Sequence, residues 1–462
     1  MRRAVILFSF ILLILSISCT KTEKADLALI DITLIDATGS PAQPDMAVLI
    51  TENKITKIGK AKGLKVEKAA QVIDGSGKFL IPGLWDMHVH LGNKNDLALF
   101  IVNGVTSIRL MLGFPENFKW REEISSGKLI GPRMVIASQV ADGPDPGRDN
   151  PFDIHNEAEG REFVRKAKKE GADFIKVLSY LSRDSYFAII DEAKKQGIPV
   201  AGHVPYSVSA AEVSNAGQRS IEHTYGVLIP CSSKEEELGK ILMELVPTYH
   251  ARAKLYANVD YNEQIAKELF AHFVKNNTFV CPTLVVWSEL VFRDEKDLLN
   301  DPRLKYVRSD RLEMWDRMSR KIVEVKAELN TLCQKGLDIV GKMRRAGVDL
   351  LPGTDTGMPY CFHGFGLHDE LELFVQAGLS PMEALRSATY NPAKFFGKLD
   401  SMGTIEQGKV ADLVLLEANP LEDISNTQKI AAVVVDGRFF QKEVLQKMLA
   451  QVEAVAKKSK GK

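Results

Sequence analysis

Residues 79–90 read Phe79-Leu80-Ile81-Pro82-Gly83-Leu84-Trp85-Asp86-Met87-His88-Val89-His90. The stretch is apolar enough for a buried strand, and it ends in two histidines two residues apart. On a strand, residues two apart point to one side. Two imidazoles placed so can grip one ion, and imidazole suits zinc and similar divalent metals. Taken alone, the pair reads equally well as two hydrogen-bonded core histidines.

Outward from this stretch, apolar segments alternate with amphipathic ones. Strand-like runs recur at 79–90, 106–111, 133–137, 174–178, 199–203, 220–223, 278–283 and 349–355. Helix-like stretches such as 157–170 and 185–196 separate them, the second stopping at Gly197. Strands alternating with helices imply parallel β/α units, and eight such units close a barrel. The fold class predicted is α/β, a (β/α)8 TIM barrel over 81–399. A small β-sandwich domain is expected from both ends of the chain, 27–80 and 400–445. There the segments 27–35, 46–50, 54–59, 411–416 and 430–435 read as strands, with Asp436-Gly437 as a hairpin turn. The charged stretches 232–270 and 294–345 read as helical, the second as an elaboration near the barrel mouth. Residues 446–462, ending in a Lys-rich run, read as a solvated tail.

Further polar residues fall at telling places. Lys176 lies inside Phe174-Ile175-Lys176-Val177, where a lysine is costly unless neutralised or partnered. His203 ends Ile198-Pro199-Val200-Ala201-Gly202-His203, His223 ends Ser220-Ile221-Glu222-His223, and Asp355 ends Leu350-Leu351-Pro352-Gly353-Thr354-Asp355. Each is at or near the C-terminal end of an expected strand. In a barrel those ends converge on the face that carries catalysis. With His88 and His90, they make a set of six groups with metal-ligand or base chemistry.

These residues sit in motifs that resemble the amidohydrolase superfamily, in its branch of imidazolonepropionase-like and Xaa-Pro dipeptidase-like enzymes. The resemblance runs through residues 81–90, Gly104-Val105-Thr106, Gly171-Ala172-Asp173-Phe174-Ile175-Lys176, Ile221-Glu222-His223 and Gly353-Thr354-Asp355. It continues through Glu383-Ala384-Leu385, Thr389-Tyr390-Asn391-Pro392-Ala393 and Gly403-Thr404-Ile405-Glu406-Gln407-Gly408-Lys409-Val410-Ala411-Asp412-Leu413. It implies that His88, His90 and Asp355 hold the more buried metal and that His203 and His223 hold a second. Lys176, carboxylated by CO2, would bridge the two divalent ions, zinc or a metal of similar taste. It further implies that Asp355 moves protons while a small amide or dipeptide is hydrolysed at a C–N bond. One-metal relatives lack the lysine, so a mononuclear cyclic-amide hydrolase or a deaminase stays open if Lys176 instead pairs with a carboxylate. A ligand-binding lipoprotein without catalysis is a third reading, against which stands the completeness of the six residues.

Tyr206, Tyr225 and His363 lie where a substrate would sit, although each tyrosine reads as well as packing. His368, with Glu370 and Glu372, reads as structural. Many relatives carry an Arg-Asp pair after the Gly-Val-Thr segment; here Leu110 follows Arg109, which puts second-strand contacts in doubt. The loop 142–149 suits a shaped binding loop, and its Arg148 either reads a substrate carboxylate or is simply solvated.

The chain starts Met1-Arg2-Arg3, followed by an apolar run to Ile17 interrupted only by Ser9 and Ser16. That length fits a signal h-region better than a membrane span. The run ends in Leu15-Ser16-Ile17-Ser18-Cys19, which resembles a bacterial lipoprotein signal, with Ser16 where leucine is usual. Residues 1–18 are thus expected to be a lipoprotein signal peptide, Cys19 the lipidation site and 19–26 a tether. The protein would be exported and lipid-anchored in the cell envelope; a plain secretory signal or an uncleaved anchor is the alternative. Lysine plus arginine and aspartate plus glutamate both number 60, for zero formal net charge, so nothing points to a nucleic-acid partner. Assembly as a homo-oligomer stays open. The remaining cysteines, Cys231, Cys281, Cys333 and Cys361, form no metal-like spacing and are expected as buried thiols.

Overall fold

The computed structural model describes residues 23–64, 71–145, 153–244 and 248–459. The expected signal peptide, Cys19 and Arg148 lie outside the described residues.

The strands, in chain order, are β1 (Leu27–Leu34), β2 (Gln43–Thr51), β3 (Lys54–Lys60), β4 (Gln71–Asp74) and β5 (Phe79–Pro82). Then follow β6 (Leu84–Val89), β7 (Val105–Leu110), β8 (Arg133–Ala141), β9 (Phe174–Val177) and β10 (Val200–Gly202). The last are β11 (Ser220–Glu222), β12 (Phe279–Cys281), β13 (Leu413–Leu416), β14 (Ile430–Val435) and β15 (Arg438–Gln441). Strands β6 to β12 pair in sequence order as a parallel sheet. Buried on both faces, they read as near-continuous runs, β7 and β9 without an exposed residue.

The eighth expected strand, 349–355, is not a regular strand. It closes the ring through single bridges, Leu350 to Val280 on one side and Thr356 to Val89 on the other. Hydrogen bonds from Leu351 N to Val280 O, Met87 N to Pro352 O and Asp355 N to His88 O complete the closure. Pro352 has no N–H to give a ladder. At Gly353 a Cβ would lie 2.5 Å from Cys281 Sγ and 2.6 Å from His88 Cβ. The segment is pressed against its neighbours too tightly to keep ladder geometry.

The helices between the strands start and stop as their sequences direct. Helix Arg183–Gln196 begins two residues before expectation because the Ser182 side chain accepts from Ser185 N, and it ends at Gly197 with φ 60°. The charged stretches resolve into several helices, including Glu235–Glu244, Tyr249–Ala257, Glu263–Asn276, Ser309–Val323 and Lys326–Arg345.

The run 79–90, expected as one strand, is two. It crosses from one sheet to the other at Gly83, whose N–H bonds Asp412 O and where a Cβ would strike Thr106. Its first half joins the terminal sheet, ordered β15-β14-β13-β5-β1-β2-β3 with β4 on β1. Both β4 and β5 pair with β1, at its two ends, and register shifts in β1 mark where it bends. Leu29, Ile32, Val48, Ile50, Leu413 and Val434 meet in the core of this domain. The turn between β14 and β15 has positive φ at both Asp436 and Gly437, as a type I′ hairpin requires.

The chain end is not a free tail. Helix Lys442–Ser459 buries Leu445, Met448, Val452 and Ala456, and Leu445 and Met448 cluster with Ile101, Val102 and Val433. The lysines at its end mask an apolar stripe at helical spacing. The four cysteines among the described residues are free and buried, as expected.

Candidate metal centre

His88 lies in β6 with His90 just beyond it, and Lys176 lies in β9. His203 and His223 each follow the last residue of β10 and β11, and Asp355 follows the irregular eighth segment. All six side chains line one cavity of about 520 Å³ at the C-terminal ends of the strands. His223 and Asp355 have φ of 68° and 50°, a strained backbone that turns both side chains into the site.

The ring is tight. His88 Nε2 is 3.4 Å and His90 Nε2 is 2.9 Å from the same Asp355 oxygen. The imidazole of His223 is 4.8 Å from that of His88 and 4.9 Å from that of His203, centroid to centroid. Three histidines have their Nδ1 engaged elsewhere. His88 Nδ1 donates to Glu222 at 2.9 Å, His203 Nδ1 hydrogen-bonds Ser179 Oγ at 2.8 Å, and His223 Nδ1 hydrogen-bonds Thr283 Oγ1 at 2.8 Å. Such partners fix ring orientation and leave Nε2 for a metal.

Charge follows from burial. Desolvation, with the neighbouring Lys176 charge, holds His88 and His203 well below the usual imidazole range. Desolvation also lowers His223, to about 4. All three are therefore neutral at pH 7, the form that binds metal. Burial alone would raise Asp355, but the imidazoles of His88 and His90, the second hydrogen-bonded to it, outweigh burial and hold it below the usual carboxylate range. Burial brings Lys176 down to about 8 against the pull of Glu222 and Asp355, and it makes no ion pair with a described carboxylate.

The donor set fits a divalent metal. One ligand atom each from His88, His90 and Asp355 falls within 4.8 Å of the others. A tetrahedral ion with bonds near 2.1 Å separates its ligands by about 3.4 Å, close to the spacing seen. His88, Glu222 and Cys281 also lie within 4.8 Å of one another, but Glu222 is taken up by Arg109 and burial keeps the Cys281 thiol protonated.

Beneath the ring lies a support that the sequence did not disclose. Arg109, wholly buried, donates to both Glu222 oxygens at 2.8 and 2.9 Å, to Ser220 Oγ and to Met87 O. The arginine whose changed neighbour had cast doubt on second-strand contacts thus holds the carboxylate that holds His88. Asp86 accepts from Thr354 Oγ1 at 2.6 Å and from Thr354 N at 3.1 Å, tying β6 to the irregular segment. The available signal was a charged residue inside an apolar strand, present at Asp86, Arg109 and Glu222 alike.

Tyr225 lines the cavity, its ring stacked on His223 at 5.0 Å. Tyr206 faces a neighbouring cavity that also reaches His203 and Tyr225. His363 does not face the site. Its Nε2 is bonded to His90 O at 3.0 Å, supporting the His90 backbone, and it lines an adjoining cleft with Asp96. His368 is structural, between Thr427 Oγ1 and Asn103 O.

The chain is 25% identical over 424 residues to ochratoxinase of Aspergillus niger, covering 77% of this chain and 73% of that one. Among solved structures, a Xaa-Pro dipeptidase with bound methionine matches with a TM-score of 0.67 and 22% identity, over 90% of this chain and 99% of the other. A bottromycin amidohydrolase matches with a TM-score of 0.71 and 22% identity, over 93% and 90%. These two show the fold, a barrel with a β domain built from the chain ends. The profile of the amidohydrolase family matches residues 79–440, more than three quarters of the sequence, and the chain belongs to that family of enzymes.

Proposed function

We propose that this protein hydrolyses C–N bonds of the amide type in small molecules or dipeptides, at a site for two divalent metals bridged by carboxylated Lys176. The observation that carries the reading is the set of six side chains lining one cavity, with three histidines oriented through Nδ1 and a buried lysine that forms no ion pair with a described carboxylate. His88, His90 and Asp355 would hold one ion, and His203 and His223 the other. Zinc accepts all of these ligands. Bound there, the metals supply Lewis acidity and lower the pKa of water.

The protein's own groups do the rest. The lowered pKa of Lys176 leaves a fraction of free amine at neutral pH. That amine adds CO2, losing one proton, and the buried cation becomes an anion suited to lie between cations. Asp355, ionised and at the cavity wall, takes the proton of the attacking water and returns it to the leaving nitrogen. Tyr225 presents its phenol beside His203, 3.5 Å from Nε2, where it can donate to a carbonyl oxygen turning anionic.

Metal content per chain, on protein expressed with zinc and bicarbonate, is the first test. About two ions supports the binuclear reading, and about one favours a mononuclear cyclic-amide hydrolase or deaminase. Asp355→Asn is expected to remove nearly all turnover while the fold, read by circular dichroism, stays intact. Near-normal hydrolysis by that variant would end the assigned role. Export and lipid attachment at Cys19 form a separate proposal, checked by palmitate labelling that disappears in Cys19→Ser.

A further inference from the structure

A cavity of about 530 Å³ lies at the opposite end of the barrel from the metal centre and shares no lining residue with it. Its wall is built at the N-terminal ends of the strands, from Thr106 in β7, Arg133 in β8, Phe174 in β9 and Arg219 just before β11. Val435, Asp436 and Arg438, of the β14–β15 hairpin, close it from the side of the β domain. Junctions between folded units are a common place for ligand cavities.

The charge of this cavity is one-sided, in a chain whose charges balance overall. Arg121, Arg133, Arg219, Lys398 and Arg438 line it against two carboxylates, Asp173 and Asp436. Asp173 is taken by Arg121 at 2.7 Å, and Arg133 stands 3.5 Å from both Asp412 and Asp436. Among the described residues no carboxylate forms an ion pair with Arg219, Lys398 or Arg438. Arg133 Nε is buried without a hydrogen-bond partner, and so is Thr106 Oγ1, although buried polar groups are nearly always bonded.

The floor is apolar and fixed. Phe395 meets Phe396 edge-on at 4.9 Å and Phe279 at 5.2 Å, and the Arg109 guanidinium lies 5.2 Å from its centroid. Arg219 is held beside it, 5.4 Å from the same centroid, and donates through one Nη to Phe395 O at 3.1 Å. The other donors of its fork are left for an acceptor from outside. A singly charged anion would leave most of the excess charge unmatched, whereas a dianion answers more of it. Guanidinium forks suit phosphate oxygens. The phenylalanine floor calls for an apolar group on the same molecule.

We infer that this cavity binds a small, soluble phosphate monoester, its phosphate held by Arg219 and Arg438 and its apolar or aromatic group against Phe395 and Phe396. The ligand is a molecule other than the amide substrate, because the site lies on the face away from the metal ligands. Its binding does not depend on the proposed hydrolysis.

The test is calorimetry on the metal-loaded protein with phenylphosphonate, which has no ester bond to cleave, and with inorganic phosphate, at about pH 8, where both are doubly ionised. Phenylphosphonate is expected to bind about tenfold more tightly than phosphate, the gain from covering one ring. Arg219→Met and Arg438→Met each lower its affinity about tenfold, the low end for a charge-assisted pair because both side chains are only partly buried. Arg438, on the hairpin, keeps the test open if Arg219→Met disturbs the packing of Phe395. A phosphonate seated on the metals is indifferent to these arginines, so affinity that survives both variants overturns the inference. Equal affinities for phosphonate and phosphate, or no binding of either at millimolar concentration, overturn it as well. Vesicles containing phosphatidate carry the same group on a membrane; they are expected to leave the phosphonate bound, and displacement by them would overturn a soluble ester as the occupant.

Discussion

Glu222→Gln separates two jobs that one carboxylate performs. Its oxygens accept from Arg109 at 2.8 and 2.9 Å and from His88 Nδ1 at 2.9 Å, with both charged side chains fully buried. Gln keeps the shape and removes the charge. The first consequence is a stranded guanidinium: breaking a buried pair by removing one partner costs about 3–5 kcal/mol. The second falls on the metal. A histidine ligand that loses its carboxylate partner typically weakens metal binding by about tenfold to a hundredfold, or ~1.4–2.8 kcal/mol. Denaturation in chelator reads the first effect free of metal linkage, and competition with a chelator of known affinity reads the second. The double variant Arg109→Met/Glu222→Leu discriminates further. An apolar replacement of a buried pair is often neutral, so much of the stability returns, whereas metal affinity stays low because His88 Nδ1 has lost its acceptor. If Glu222→Gln binds metal as tightly as wild type, or the double variant regains metal affinity together with stability, the carboxylate does not position His88 and the argument fails.

Lys176→Ala is expected to lower the metal content from about two ions per chain towards one, even with bicarbonate in excess; undiminished content, measured by plasma emission, would remove the lysine from the bridge. Ending the chain after Gln441 strips Leu445, Met448, Val452 and Ala456 from their packing. At about 1.5–3 kcal/mol for each large apolar side chain, the loss is roughly 5 kcal/mol or more, and a thermal melt unchanged by the truncation would contradict it. Gly353→Ala forces a methyl to within 2.6 Å of His88 Cβ and 2.5 Å of Cys281 Sγ. Overpacking of this sort costs about 1–3 kcal/mol, and because His88 must yield, metal affinity should drop with it.

The six ring residues were legible in the sequence because each is a polar side chain set, at some cost, in or at the end of an apolar strand. Arg109 and Glu222 carried the same signal and were not read as a pair. They stand 113 residues apart, and only closure of the barrel brings β7 and β11 across from each other. The eighth strand was misread because its apolar residues predict burial correctly but say nothing of the ladder that Pro352 and Gly353 interrupt. The final helix was hidden by composition: its lysines drew attention from Leu445, Met448, Val452 and Ala456, which recur at helical spacing.

Lys176 is a cation withdrawn from water among the candidate ligands, and no described carboxylate forms an ion pair with it. Elsewhere in the barrel such charges are matched: Arg109 by Glu222, and Arg303 by Asp301 and Asp369. The cost of burying an unmatched charge is several kcal/mol, too much to be retained for packing when leucine or methionine would fill the space. On the proposed reading the missing partner comes from outside the polypeptide: CO2 would turn the amine into an anion suited to lie between cations, and Lys176→Ala would then change how much metal is bound.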